Sequence, residues 1–132
     1  MKIVIGLDLT EEQRRAFTEA APGCEMTFVG MGGFTAENAA DADMVIGNPP
    51  HALIPQLKNL KALQLHSAGN DGYDIAIQQV PGARVYNASG AYGLTLSEHM
   101  VATLLMLMRK LHLYRDQQPS HSWQNLGGIR SI

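Results

Sequence analysis

Between Met100 and Met108 every residue but Thr103 is apolar. At about 100° per residue these side chains cover every face of a helix rather than one stripe, so the helix has to be covered on all sides. Thr95 and Glu98 stand ahead of the run at capping-box spacing, and the sequence predicts one long helix over residues 94–117. A membrane span would need about 20 consecutive apolar residues. Here Glu98 and His99 close the run on one side and Arg109 and Lys110 on the other, so no membrane crossing is expected. Burying a Leu or Met stabilises by roughly 1.5 to 3 kcal/mol, and leaving half of this set wet would forgo about 5 kcal/mol or more, comparable with the stability of a whole domain. A body outside the preceding residues is expected against the far face of this helix.

Upstream, short apolar runs alternate with helical segments, the pattern of a parallel sheet covered on both faces. Residues 2–6 (KIVIG) form the first expected strand. Thr10 opens a helix with Gln13 in the capping-box position, ending near Ala21, before Pro22 and Gly23. Residues 25–29 (EMTFV) are the second strand. Gly30, Gly32 and Gly33 follow it, but a dinucleotide loop of G-x-G-x-x-G type would need glycine where Thr35 stands, so the stretch reads as a plain turn with Thr35 capping a short helix. Residues 43–47 (DMVIG) are the third strand, and Asn48-Pro49-Pro50 ends it and starts a short helix through Leu57. Residues 60–65 (LKALQL) are the fourth strand, residues 74–79 a helix, and residues 84–86 the fifth strand after the Pro81-Gly82 turn.

Five short parallel strands with intervening helices fit a flavodoxin-like, doubly wound α/β domain of order 2-1-3-4-5 over residues 1–94. Right-handed crossovers bring the loops after strands one, three, four and five to one edge: Leu7-Asp8, Asn48-Pro49-Pro50, residues 66–71 and residues 87–93. Ser67-Ala68-Gly69-Asn70-Asp71 carries the most chemistry, because small residues let backbone amides approach an anion such as a small carboxylate. The same residues also fit a turn in which Asp71 or Asp74 caps the next helix.

Ten basic against twelve acidic residues, with no basic run, give no pointer to nucleic acid or an anionic membrane. Cys24 is the only cysteine and cannot form an internal disulfide, and Met1-Lys2 leads straight into a strand, so a cytoplasmic location is expected. His51, His66, His99, His112 and His121 include no pair at helical ligand spacing, and a metal site is not expected.

LKALQLHSAGNDGYD, followed by VYNASGAYGLTLSEHMVATLLMLMRKLHLYRDQQ, resembles the first part of the D-isomer-specific 2-hydroxyacid dehydrogenases, with residues 60–123 carrying the likeness. The resemblance implies a flavodoxin-like substrate domain split in sequence around a Rossmann domain that binds NAD or NADP. It implies that backbone amides around Ala68, Gly69 and Asn70 hold the carboxylate of a small 2-oxo or 2-hydroxy acid, and that Asn48 and Leu53 line the pocket of its side chain. Tyr92 and Thr95 would lie near the interdomain crossing, close to the nicotinamide. The long helix, with residues 95–132 as the start of the link, would cross to the cofactor domain and form a homodimer.

The sequence also departs from the family. The cofactor loop and the Arg, Glu and His of hydride and proton transfer lie downstream of the matched region in the family, and none is among these residues. A fragment without its Rossmann domain, inactive alone, is therefore expected, with no catalytic residue in hand. His66 lies on the candidate loop but has no hydride acceptor to serve, and Arg109 and Arg115 read as complements to a helix dipole. The alternative is a non-catalytic flavodoxin-like binding or regulatory module that dimerises through the long helix. A phospho-receiver would want an Asp at the end of strand three and a Lys after strand five, where this chain has Gly47-Asn48 and Asn87.

Overall fold

The computed structural model describes residues 1–128; the end of the expected link, residues 129–132, lies outside the described residues. Two compact units emerge, Met1–Gly90 and the segment from Ala91 onward.

In the first unit the strands are β1 Lys2–Ile5, β2 Glu25–Phe28, β3 Met44–Ile46, β4 Ala62–Gln64 and β5 Arg84–Tyr86. They form one five-stranded, all-parallel sheet of order β2-β1-β3-β4-β5, the doubly wound topology expected from the apolar runs. Register puts Val4 beside Val45 and Val45 beside Leu63, and all three are fully buried. Such a row of apolar residues in the middle strands is what burial of both sheet faces requires. Ile54, Leu57, Leu65, Tyr73 and Ile77 pack into the same core from the connections.

Helix α1, Glu11–Ala20, opens with the expected reciprocal box: Gln13 N donates to Thr10 Oγ1 at 3.3 Å and Thr10 N donates to Gln13 Oε1 at 2.9 Å. Helix α2, Ala36–Ala39, repeats the device with Thr35 and Asn38. The segment after Asn48 is a 3₁₀ turn, His51–Gln56, rather than an α-helix. Pro55 within it has no N–H to give, which favours a short, tight turn. The helix expected over residues 74–79 is a single α turn, α3 Tyr73–Ala76, continued by a 3₁₀ turn, Ile77–Gln79.

The second unit corrects the long rod. It contains two helices, α4 Gly93–Met108 and α5 Leu111–Gln117, separated at Lys110, whose φ of 57° is left-handed. That conformation costs a lysine roughly 1–2 kcal/mol. It is offset here because Lys110 Nζ donates to the carbonyls of Leu126 and Gly127, each at 2.6 Å, while Leu126 N donates to Tyr114 Oη at 3.2 Å. Periodicity gave no sign of this break, whose lysine contacts a segment sixteen residues downstream.

The Thr95–Glu98 capping box is also absent. The helix begins a turn's half earlier, at Gly93 with Tyr92 as N-cap and no side-chain cap bond, which places Thr95 and Glu98 inside it. No residue of α4 is buried: Met100 is 70% and Leu104 47% exposed. Among the described residues no helix is long and apolar enough to cross a membrane.

Candidate functional site

Three strand ends of the first unit converge on the loop after β4. At the end of β3, Gly47 has φ 123°, and a Cβ there would lie 2.9 Å from the Gly6 carbonyl. Only glycine fits, and this turn delivers Asn48 to the loop. His66 N donates to Asn48 Oδ1 at 3.1 Å, and Asn48 Nδ2 donates to Ser67 Oγ at 2.9 Å. From the end of β5, Asn87 Nδ2 donates to the Ala68 carbonyl at 2.9 Å and to Asn70 Oδ1 at 3.2 Å, and Ala88 N donates to the Ser67 carbonyl at 2.9 Å.

Every carbonyl from Ser67 to Asn70 is thereby engaged, since Ser67 Oγ donates to the Gly69 carbonyl at 3.0 Å and Tyr73 N to the Asn70 carbonyl at 2.8 Å. The amides of Ala68, Gly69 and Asn70 have no acceptor among the described residues. In a trans peptide the C=O and N–H point in opposite directions, so each tethered carbonyl directs the N–H of the next residue away from its tether. The residues are exposed, which leaves those N–H groups accessible to a ligand.

Beyond Asn70 the chain turns sharply. Asp71 (φ 40°) and Gly72 (φ 88°) are both left-handed and feed into α3. Neither Asp71 nor Asp74 caps that helix: its N-cap is Gly72, without a side-chain bond. Tyr73 anchors the turn from below, buried, with its hydroxyl donating to the Pro49 carbonyl at 2.7 Å and its ring edge-on to His51 at 4.3 Å. Burial, and then the Asp71 carboxylate, push the Tyr73 hydroxyl above its ordinary value of 10.0. At the other end of the sheet, the Lys61 ammonium, 2.6 Å from Asp43, and then the Lys2 N–H hold the Asp43 carboxyl below its ordinary 3.8.

The structure thus brings together Asn48, Ala68, Gly69 and Asn70. Leu53 is 6% exposed and belongs to the core. Tyr92 and Thr95 lie in the second unit, at the N-cap and in the first turn of α4. Arg115 is in the last turn of α5, paired with Asp116 at 3.2 Å. The glycine stretch after β2 is a turn held by Asp8, whose Oδ1 accepts from Met31 N at 2.9 Å, with Gly33 N donating to the Gly30 carbonyl at 3.2 Å. A carboxylate on that turn opposes a phosphate, so this turn does not fit a dinucleotide. No cluster of metal-ligating side chains occurs among the described residues. Sequence reasoning missed Asn87 and Ala88 as tethers of the loop. A polar amide directly after an apolar strand, at the edge shared with the loop, is the signal that could have found Asn87.

No family model matches the sequence. A formate dehydrogenase from Candida boidinii is 28% identical over 92 residues, covering 64% of this chain and 25% of that protein. Among solved structures, a D-isomer specific 2-hydroxyacid dehydrogenase family protein from Aeromonas salmonicida superposes over 96% of this chain and 42% of its own, with a TM-score of 0.78 and 22% identity. The resemblance read from the sequence holds in three dimensions. The chain has the fold found in the D-isomer-specific 2-hydroxyacid dehydrogenases. D-lactate dehydrogenase from Lactobacillus jensenii, solved with NAD+, matches all of this chain over 43% of its length, with a TM-score of 0.64 and 24% identity. The chain spans less than half the length of each of these dehydrogenases.

Proposed function

We propose that these residues are the substrate-binding part of an NAD(P)-dependent D-2-hydroxyacid dehydrogenase, with the division into a substrate domain over residues 1–94 and a connecting segment from residue 95. The observation that carries the reading is the exposed loop in which every carbonyl from Ser67 to Asn70 is tethered while the amides of Ala68, Gly69 and Asn70 meet no acceptor among the described residues. They would take the carboxylate of a small 2-oxo or 2-hydroxy acid by charge-assisted hydrogen bonds. Asn48 would border the substrate side chain, with Leu53 behind it as part of the core rather than in direct contact, and Tyr92 and Thr95 would lie toward the nicotinamide. When bound, NAD or NADP supplies or accepts the hydride; the residues in hand orient the acid. A second, cofactor-binding domain and a cytoplasmic location complete the proposal.

Two measurements test it. Titration of the 132-residue chain with glycolate, followed by amide NMR, should move the Ala68, Gly69 and Asn70 resonances, and neutral glycolamide should not. Equal shifts with both compounds, or none with glycolate, would refute the carboxylate site. The chain alone, mixed with NADH or NADPH and glyoxylate, pyruvate or hydroxypyruvate, should leave the nicotinamide absorbance unchanged; turnover would refute the assignment of hydride transfer to a further domain.

One observation favours a second reading, a flavodoxin-like binding or regulatory module that dimerises through α4: none of that helix's residues is buried. Both readings expect a homodimer in solution, and Leu104→Asp with Leu107→Asp should yield single chains by light scattering while the sheet stays folded. A monomeric parent chain at micromolar concentration would sink the dimer. A G-x-G-x-x-G motif encoded soon after Ile132 favours the dehydrogenase over the module.

A further inference from the structure

The amides of the loop are aimed by different tethers, and one is indirect. The Gly69 carbonyl, whose peptide partner is the Asn70 N–H, is held by the Ser67 hydroxyl, and that hydroxyl is itself held by Asn48. We propose that Asn48 and Ser67 form a directional relay whose output is the orientation of the Asn70 N–H, which makes both positioning residues for the anion-binding loop. This rests on the reading of that loop as a carboxylate site.

The direction of the relay is fixed by donor and acceptor inventory. His66 N is a backbone donor, so the Asn48 atom it meets at 3.1 Å is the carbonyl oxygen, Oδ1. The other end of the side chain is then the NH₂ group, which can only donate to Ser67 Oγ, 2.9 Å away. A hydroxyl has one proton, and with its oxygen already accepting, that proton goes to the Gly69 carbonyl at 3.0 Å. Planarity of the Gly69–Asn70 peptide turns the Asn70 N–H to the opposite side. The neighbouring amide of Ala68 is independent of this relay, because its peptide carbonyl, on Ser67, is held by Ala88 N at 2.9 Å.

Two nearly isosteric changes follow. Asn48→Asp keeps an acceptor for His66 N but replaces the donor with a second acceptor. The Ser67 proton then turns to the carboxylate, and the Gly69 carbonyl loses its donor. Ser67→Ala removes the relay without adding charge, and Ser67→Thr keeps the hydroxyl.

The test measures N–H orientation by residual dipolar couplings in the ligand-free chain, together with a glycolate titration. The Asn70 coupling should change in N48D and S67A, that of Ala68 should stay, and S67T should restore Asn70. Glycolate affinity should fall about tenfold in S67A, the loss of roughly one hydrogen bond to a charged group, and recover in S67T. An Asn70 coupling unchanged in both N48D and S67A, or not restored by S67T, overturns the relay. Couplings that change as expected, in a chain whose amides ignore glycolate, support the relay and remove the carboxylate reading.

Discussion

Leu63 in β4 and Leu104 in α4 are the same side chain in opposite circumstances. Leu63 is fully buried between neighbouring strands and the connections that cover the sheet, whereas Leu104 is 47% exposed on a helix with no buried residue. The first unit meets its own demand for burial: a core running from Val4 to Val80 closes within residues 1–90. The second unit carries an apolar coat on every face and leaves it in water. Similar hydropathy therefore has two outcomes, a core in one segment and an exposed apolar surface in the other.

The sharpest way to break that contrast is truncation of each leucine. Leu63→Ala should destabilise the chain by about 2–5 kcal/mol in urea unfolding, since it opens a cavity in a closed core. Leu104→Ala, compared in chains diluted until light scattering shows single copies, should change the unfolding free energy by less than about 0.5 kcal/mol. Equal costs at the two positions would show that α4 is already covered, and the contrast would be lost.

A smaller effect is expected where the core meets the loop. Tyr73→Phe removes the buried bond to the Pro49 carbonyl and should cost about 1–3 kcal/mol, because that oxygen is left without its donor. The parent chain should also lose stability as pH rises above 10.0, where the unfolded tyrosine ionises before the buried one. In Tyr73→Phe that part of the alkaline decline should vanish, as read from unfolding midpoints between neutral and alkaline pH. A phenylalanine variant with the parent's alkaline profile would show that Tyr73 does not link core and loop.

The smallest effect belongs to the exposed pair at the other edge of the sheet. The Asp43 carboxyl is held low by Lys61 and the Lys2 N–H, so its contribution is present above the ordinary carboxyl value of 3.8 and lost as pH falls through its lowered value in the folded state. Asp43→Asn should flatten the acid limb of the stability curve slightly, and added salt should weaken the parent's acid limb toward it.

Much of the first unit could be read from residues alone. KIVIG and DMVIG announce strands buried on both faces because no polar residue interrupts their apolar centres, LKALQL announces a third despite Lys61 and Gln64, and Thr10 with Gln13 announces a helix start because the box is local. The loop at Ser67 to Asn70 stood out by its small residues, yet its polarity was not legible. Which carbonyls are tethered depends on Asn48 and Asn87, brought in from β3 and β5 by strand pairing. The second unit misled at Lys110, which sits in a good helical pattern yet is left-handed, its ammonium bound to the carbonyls of Leu126 and Gly127.

The chain's sequence by itself determined the strand-forming runs, the order of strands and helices, the capped start of α1 and the excess of apolar surface around Met100 to Met108, all of which depend on near neighbours or on composition. Tertiary structure decided which carbonyls of the β4 loop are tethered, where α4 ends and which leucines lie in the core. Those outcomes turn on hydrogen bonds and packing between residues far apart in sequence, and only the closed sheet brings Asn48, Ser67 and Asn87 within bonding distance of one loop.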